Sequence, residues 1–165
     1  MREIISNVLK DLRNNYKPNT PVEIESADGE ICNVVCEYNL PATKEDLESL
    51  EKYVDATIPE DYKVFLNAYN GARLLTTYEE GMIIKSEGLE LFDVANAIDN
   101  SRNLNLEAKD IAVGIFLDDY WIVFNATENI ISVWEYGEKT DLDLQFEQFV
   151  DRFLNSGRHA FWQDY

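Results

Sequence analysis

Leu40-Pro41-Ala42-Thr43-Lys44-Glu45-Asp46 opens, and Ile58-Pro59-Glu60-Asp61-Tyr62-Lys63-Val64-Phe65-Leu66-Asn67-Ala68-Tyr69-Asn70-Gly71 closes, a stretch that reads as two short capped helices ending in Asn-Gly. In the first helix Thr43 suits the N-cap, and Asp46, three residues on, can complete a capping box. Leu47, Leu50 and Val54 are spaced for one buried stripe. In the second, Pro59 is expected at the first helical position, where its missing N–H costs nothing, and Glu60 and Asp61 set negative charge against the positive end of the helix dipole. Tyr62, Phe65, Leu66 and Tyr69 then recur at the spacing of a single apolar helix face. Asn70 and Gly71 stop the helix, because glycine tolerates the left-handed conformation that closes a C-terminus.

A capped helix followed by Ile-Pro-Glu-Asp-Tyr-Lys-x-Phe-Leu-x-x-Tyr-Asn-Gly resembles the SUKH superfamily, which includes fungal cell-wall regulators of the Smi/Knr type and many bacterial immunity proteins. The motif covers residues 40–71. The order of elements as far as residue 154, with strands in the middle and the Phe-rich Phe146-Glu147-Gln148-Phe149-Val150-Asp151-Arg152-Phe153-Leu154 near the end, fits the same pattern, while the resemblance does not extend to the first 39 residues. The resemblance implies one SUKH-like α+β domain over 1–165, a mostly antiparallel sheet flanked by helices. It gives Pro59, Tyr62, Phe65, Leu66, Asn70 and Gly71 a structural part. It also implies protein binding, and supplies no catalytic residues.

Size and composition agree with a globular chain. At 165 residues a single domain buries roughly 70% of its unfolded surface. With 45% hydrophobic and 12% aromatic residues it has the material for a core. Thirty-two acids against 14 bases give a net charge of −18, well beyond the magnitude of about 2 to 8 that keeps a small domain soluble. Such a field disfavours nucleic acid and anionic membranes, whose recognition needs clustered Lys and Arg. It suits a basic protein, or it is simply the acidity of a soluble protein. Nuclease toxins bind phosphates and are often basic, so an inhibitor covering one gains from a matching potential.

Cys32 and Cys36 stand four apart in one apparent strand, too close for an easy bridge across extended backbone, and free thiols are expected. Met1-Arg2-Glu3 leads into an amphipathic pattern rather than a secretion signal, and no apolar run approaches the ~18 residues of a membrane span. A cytoplasmic location is expected.

Along the chain, Ile4, Ile5, Val8, Leu9 and Leu12 share one face of a first helix that ends before Asn14-Asn15-Tyr16-Lys17-Pro18. Val22-Glu23-Ile24 and Ile31 to Cys36 form a hairpin around Asp28-Gly29. Strands are expected at Gly81 to Ile84 and Leu89 to Phe92, then a helix from Asp93 to Ser101. Ile111 to Leu117, Tyr120 to Asn125 and Ile130 to Tyr136 read as an antiparallel meander. Asp143 or Asp141 is the expected cap of the last helix, with Phe146, Phe149, Val150, Phe153 and Leu154 on its apolar face. Arg158 to Tyr165 either packs back or serves as a recognition tail.

No chemistry is marked. His159 is the only histidine, so zinc and triad chemistry lack ligands and a base, and no cofactor or metal is expected. Two carboxylates flanking a glycosidic bond, with Trp121 or Trp134 as a sugar platform, remain possible in principle, but no pair is singled out. The constellation that stands out runs from Asp110 to Glu138, which holds Asp118, Asp119, Glu128 and Glu135 and no Lys or Arg, interleaved with Tyr120, Trp121, Trp134 and Tyr136. Aromatics anchor interfaces and acids select a basic partner. Asp118, Asp119, Tyr120, Trp121, Glu135 and Tyr136, with Glu79 and Glu80 from a second acidic group, are the candidate partner-binding residues. The alternation leaves open whether Trp121 and Trp134 face the core or a partner. The function expected is a non-catalytic immunity protein binding a basic nuclease toxin domain. The alternative is an intracellular regulatory or scaffold domain of the cell-wall regulator type.

Overall fold

A computed structural model describes residues 3–164. Met1, Arg2 and Tyr165, which the reading of the two chain ends included, lie outside them. In chain order the elements are α1 (Glu3–Asn15), β1 (Val22–Glu25), β2 (Ile31–Tyr38), α2 (Lys44–Val54), α3 (Glu60–Ala68), β3 (Ala72–Glu79), β4 (Met82–Ile84), β5 (Leu89–Leu91), α4 (Val94–Asn103), β6 (Asp110–Phe116), β7 (Tyr120–Asn125), β8 (Ile130–Glu135), β9 (Glu138–Asp141), α5 (Phe146–Asn155) and a 3-10 turn (Phe161–Asp164). The strands make one antiparallel nine-stranded sheet in the order β1-β2-β3-β5-β6-β7-β8-β9, with β4 paired to β3. The class is α+β, as expected.

Helices α1, α3 and α5 pack on one another over one face of the sheet. Phe146 of α5 meets Phe65 of α3 and Phe124 of β7 with ring centroids 5.6 and 6.1 Å apart. Each such ring, fully buried, contributes roughly 1.5–3 kcal/mol. Two carboxylates also lie inside this helical layer, Asp61 at 7% exposure and Glu147 at 3%.

The motif residues explain why α2 and α3 are held where they are. The Thr43–Asp46 capping box forms, with Asp46 N–H donating to Thr43 Oγ1 at 3.1 Å and Thr43 N–H to Asp46 Oδ2 at 2.8 Å. Pro59 is the N-cap of α3, one position before the expected one, because its extended ψ of 145° aims its carbonyl at Lys63 N–H. Helix α3 closes on extended Tyr69, which frees Asn70 to join α2, α4 and the β2–α2 loop. Its Oδ1 accepts from Val94 N–H, its Nδ2 donates to Asp46, and its N–H donates to Leu40 O. Gly71 has φ +92°, and a Cβ there would sit 2.7 Å from Asp93 N. Only glycine fits both conditions.

Three further features differ from expectation. Strand β3 has no alternation to reveal it, since Leu74, Leu75, Thr76 and Thr77 are all buried. Strand β9 is a charged edge. The cap of α5 is Gln145, whose N–H donates to Gln148 Oε1 at 2.9 Å. Asp141 is instead held in β9 by Ser132 Oγ, and Asp143 sits in a left-handed turn before the helix begins.

Candidate protein-interaction surface

Register decides what the sheet presents at each end. Leu74 pairs Leu89, which pairs Phe116, so β3 and β6 run the same way and finish at the same end. The antiparallel order then puts the β1–β2, β3–β4, β6–β7 and β8–β9 connections together at that end. Two are two-residue loops with both residues at positive φ, Glu80-Gly81 and Tyr136-Gly137, the turn whose twist matches a hairpin.

These tips carry both charge and apolar surface. Asp28, Glu30, Glu79, Glu80, Asp118 and Asp119 are all exposed there. Of the exposed large hydrophobics among the described residues, Ile31 (64%), Met82 (67%), Leu117 (38%) and Tyr136 (87%) lie at this end, and Leu40 does not. Scattered exposed apolar residues are ordinary, but a concentration of them at one end marks a contact surface.

Among the candidate residues, Asp118, Asp119, Glu79, Glu80, Glu135 and Tyr136 therefore share one end of the sheet. Tyr120 and Trp121 are adjacent in one strand and face opposite sides of it. Tyr120 lies on the α5 side, stacked by Phe116 and edge-on to Trp162, and its hydroxyl accepts from Gln163 Nε2. Burial, then the nearby Glu135 carboxylate, pushes its pKa up. Trp121 belongs to the row Arg73, Glu90, Ile115, Trp121, Trp134, Lys139, paired residue to residue across six strands on the face turned away from α5. Both tryptophans are half-buried, and Trp121 meets Phe92 at 6.1 Å.

A cavity that sequence reasoning missed lies at the acidic end. About 360 Å³ in volume, it is lined by Ser26, Ala27 and Asp28 of the β1–β2 loop, Phe116 and Leu117, and the segment Gly157–Ala160. The C-terminal segment packs back to form its floor. Phe161 and Trp162 are buried, and Gly157, at φ +64°, comes so near Glu25 O that a Cβ would lie 2.4 Å from it. Arg158 Nη1 is fully occupied, donating to Leu75 O, Thr77 Oγ1 and Glu87 O. Three segments far apart in sequence make this cavity, so no local pattern announces it. The one available signal is Leu117, an apolar residue at a turn beside two aspartates.

For reaction chemistry the surface offers little. Among the described residues no group of three or more His, Cys, Asp or Glu is placed to hold a metal. His159 faces Asp164 at 3.4 Å. Cys32 and Cys36 are free, with Cys36 buried and its thiol pKa raised by that burial. No helix among the described residues is long and apolar enough to cross a membrane.

Comparison with known proteins gives a family. The sequence pattern of the SMI1 / KNR4 family (SUKH-1) matches residues 41–152. The chain is similar to the uncharacterized protein YobM of Bacillus subtilis (strain 168), 23% identical over 98% of this chain and 92% of YobM. It is also similar to the uncharacterized protein YnaB of the same organism, 21% identical over 74% of this chain and 83% of YnaB.

Proposed function

The chain belongs to the SMI1 / KNR4 family (SUKH-1), and on that premise we propose that it is a non-catalytic immunity protein that binds a cognate toxin domain, a basic nuclease, and blocks its active site or substrate groove. Family membership supports an immunity or regulatory role. What favours immunity is the end of the sheet where exposed Asp118, Asp119, Glu79 and Glu80 surround exposed Leu117, Met82 and Tyr136. Acids steer a basic partner from a distance, and apolar side chains hold it once docked. Inhibition on this reading is steric and electrostatic, and it works in the cytoplasm, where the toxin would act. The test is co-purification with any toxin domain encoded beside this gene, or with competitor lysate, followed by a nuclease assay. Capture of a resident regulatory protein, with no protection from any toxin, would favour the scaffold alternative.

A further inference from the structure

The cavity between the β1–β2 loop and the β6–β7 turn is open at the surface, and the backbone at its lip is built at a cost. Leu117 has φ +53° and Asp118 φ +59°. The left-handed region costs a side-chain-bearing residue roughly 1–2 kcal/mol, and glycine almost nothing. Leu117 keeps 38% of its surface exposed, so part of an apolar side chain stays open at the lip of the cavity.

The surroundings say what would enter. Phe116, Leu117, Ala27 and Ala160 offer an apolar lining. Asp28 is on the wall with Arg158 and His159, Asp118 and Asp119 follow Leu117 at the rim, and Arg158 donates from Nη1 to Leu75 O, Thr77 Oγ1 and Glu87 O and from Nη2 to Cys32 Sγ. The volume of about 360 Å³ exceeds the ~150 Å³ that a benzene-sized group fills, so the cavity admits a large side chain together with the atoms that flank it. A purely apolar occupant would leave the rim carboxylates without counter-charge, and an acidic one would be repelled.

We infer that this cavity is a socket for a single apolar side chain of a partner polypeptide, flanked on that partner by Lys or Arg that meet Asp28, Asp118 and Asp119. The inference rests on the reading above that the chain binds a basic protein, and it adds where and through which chemistry. The socket supplies the short-range anchor, and the rim acids select for the flanking cations.

The test uses the full chain, labelled with nitrogen-15, and an acetylated, amidated peptide of one phenylalanine with two lysines on each side. Shifts confined to the amides of Ala27, Leu117, Gly157 and Ala160 and their neighbours are expected. They should vanish when the peptide's phenylalanine is replaced by glycine, and when its lysines are replaced by glutamates. Leu117→Gly should change the melting temperature little, because relief of the positive φ offsets the lost leucine burial, and should weaken peptide binding about tenfold. No binding, shifts centred elsewhere, or equal affinity for Leu117→Gly would overturn the socket. If the peptide fails while the wild-type chain captures a toxin domain, the immunity reading stands without the socket. If the peptide binds here and no toxin is captured or inhibited, the socket stands without the immunity reading.

Discussion

The carboxylate of Asp61, one residue into α3, accepts the backbone N–H of Glu147 in the first turn of α5 at 3.0 Å. Glu147 in turn accepts Ile5 N–H of α1 at 2.9 Å, so two buried acids link the starts of three helices. Helix N-termini carry orphan N–H donors and partial positive charge, which is why buried carboxylates are tolerated at these two places. Asn129 Nδ2 also donates to Asp61, at 3.3 Å, tying the β7–β8 turn to the same point.

Removing Asp61 leaves a buried N–H without its acceptor. Asp61→Ala should cost about 1–3 kcal/mol, read as a lower urea midpoint with an unchanged slope. A midpoint equal to the wild type would show that the link does not hold the helices.

Glu147 gives a pH signature. Burial, and then the neighbouring Asp61 charge, raise its pKa in the fold, while the bond from Ile5 works the other way. The unfolded chain keeps the ordinary value, so above the folded pKa the charged side chain costs stability, and that cost disappears as pH falls through the folded pKa toward the unfolded one. Glu147→Gln retains an acceptor for Ile5 without the charge. Its stability relative to the wild type should be greatest at pH 7–8 and should shrink on acidification. An advantage that grows as pH falls would contradict the assignment.

Gly71→Ala combines two penalties, a positive φ of +92° and a Cβ 2.7–2.9 Å from Asp93 N, Leu91 O and Asn39 Nδ2. A loss of more than about 2 kcal/mol is expected from chemical denaturation. Gly81→Ala, at φ +77° with nothing within 4 Å of the new Cβ, should cost less, only the backbone share of roughly 1–2 kcal/mol. Equal losses would mean that crowding at Gly71 is unimportant.

How much of this could be read from the chain depends on how local the cause is. The Thr43–Asp46 box, the Asp28-Gly29 hairpin and the β6–β7–β8 meander depend on neighbours within a few residues, and all were legible. Strand β3 was not, because it is buried on both faces around a bulge at Leu75, and a short apolar run has no period. Strand β9, Glu138–Asp141, has no apolar pattern because it is a sheet edge, where charge discourages further pairing. At the proposed interface the acids were legible as a local excess, but their gathering at one end follows from strand order. The separation of Tyr120 from Trp121 follows from register, and the socket beside Leu117 needs the chain's last turn to fold back. The buried pair Asp61 and Glu147 reads as two more surface acids until the helices are placed.

Association with a basic partner should be fast at low salt and slow as salt rises, since exposed charges are screened over about 8 Å at physiological ionic strength. Asp118→Lys with Asp119→Lys should lower the on-rate and flatten its salt dependence, with little change in thermal stability because both side chains are exposed. An on-rate indifferent to salt and to both reversals would remove these acids from the interface.

The most direct measurement is stoichiometric: any toxin domain encoded beside this gene is co-expressed with the chain, the complex is isolated, and nuclease activity is assayed with and without excess of the chain. An equimolar complex with a basic domain and loss of its activity, restored by charge reversal at Asp118 and Asp119, is the predicted result. A toxin domain that neither co-purifies nor loses activity at saturating concentrations of the chain would contradict the immunity reading.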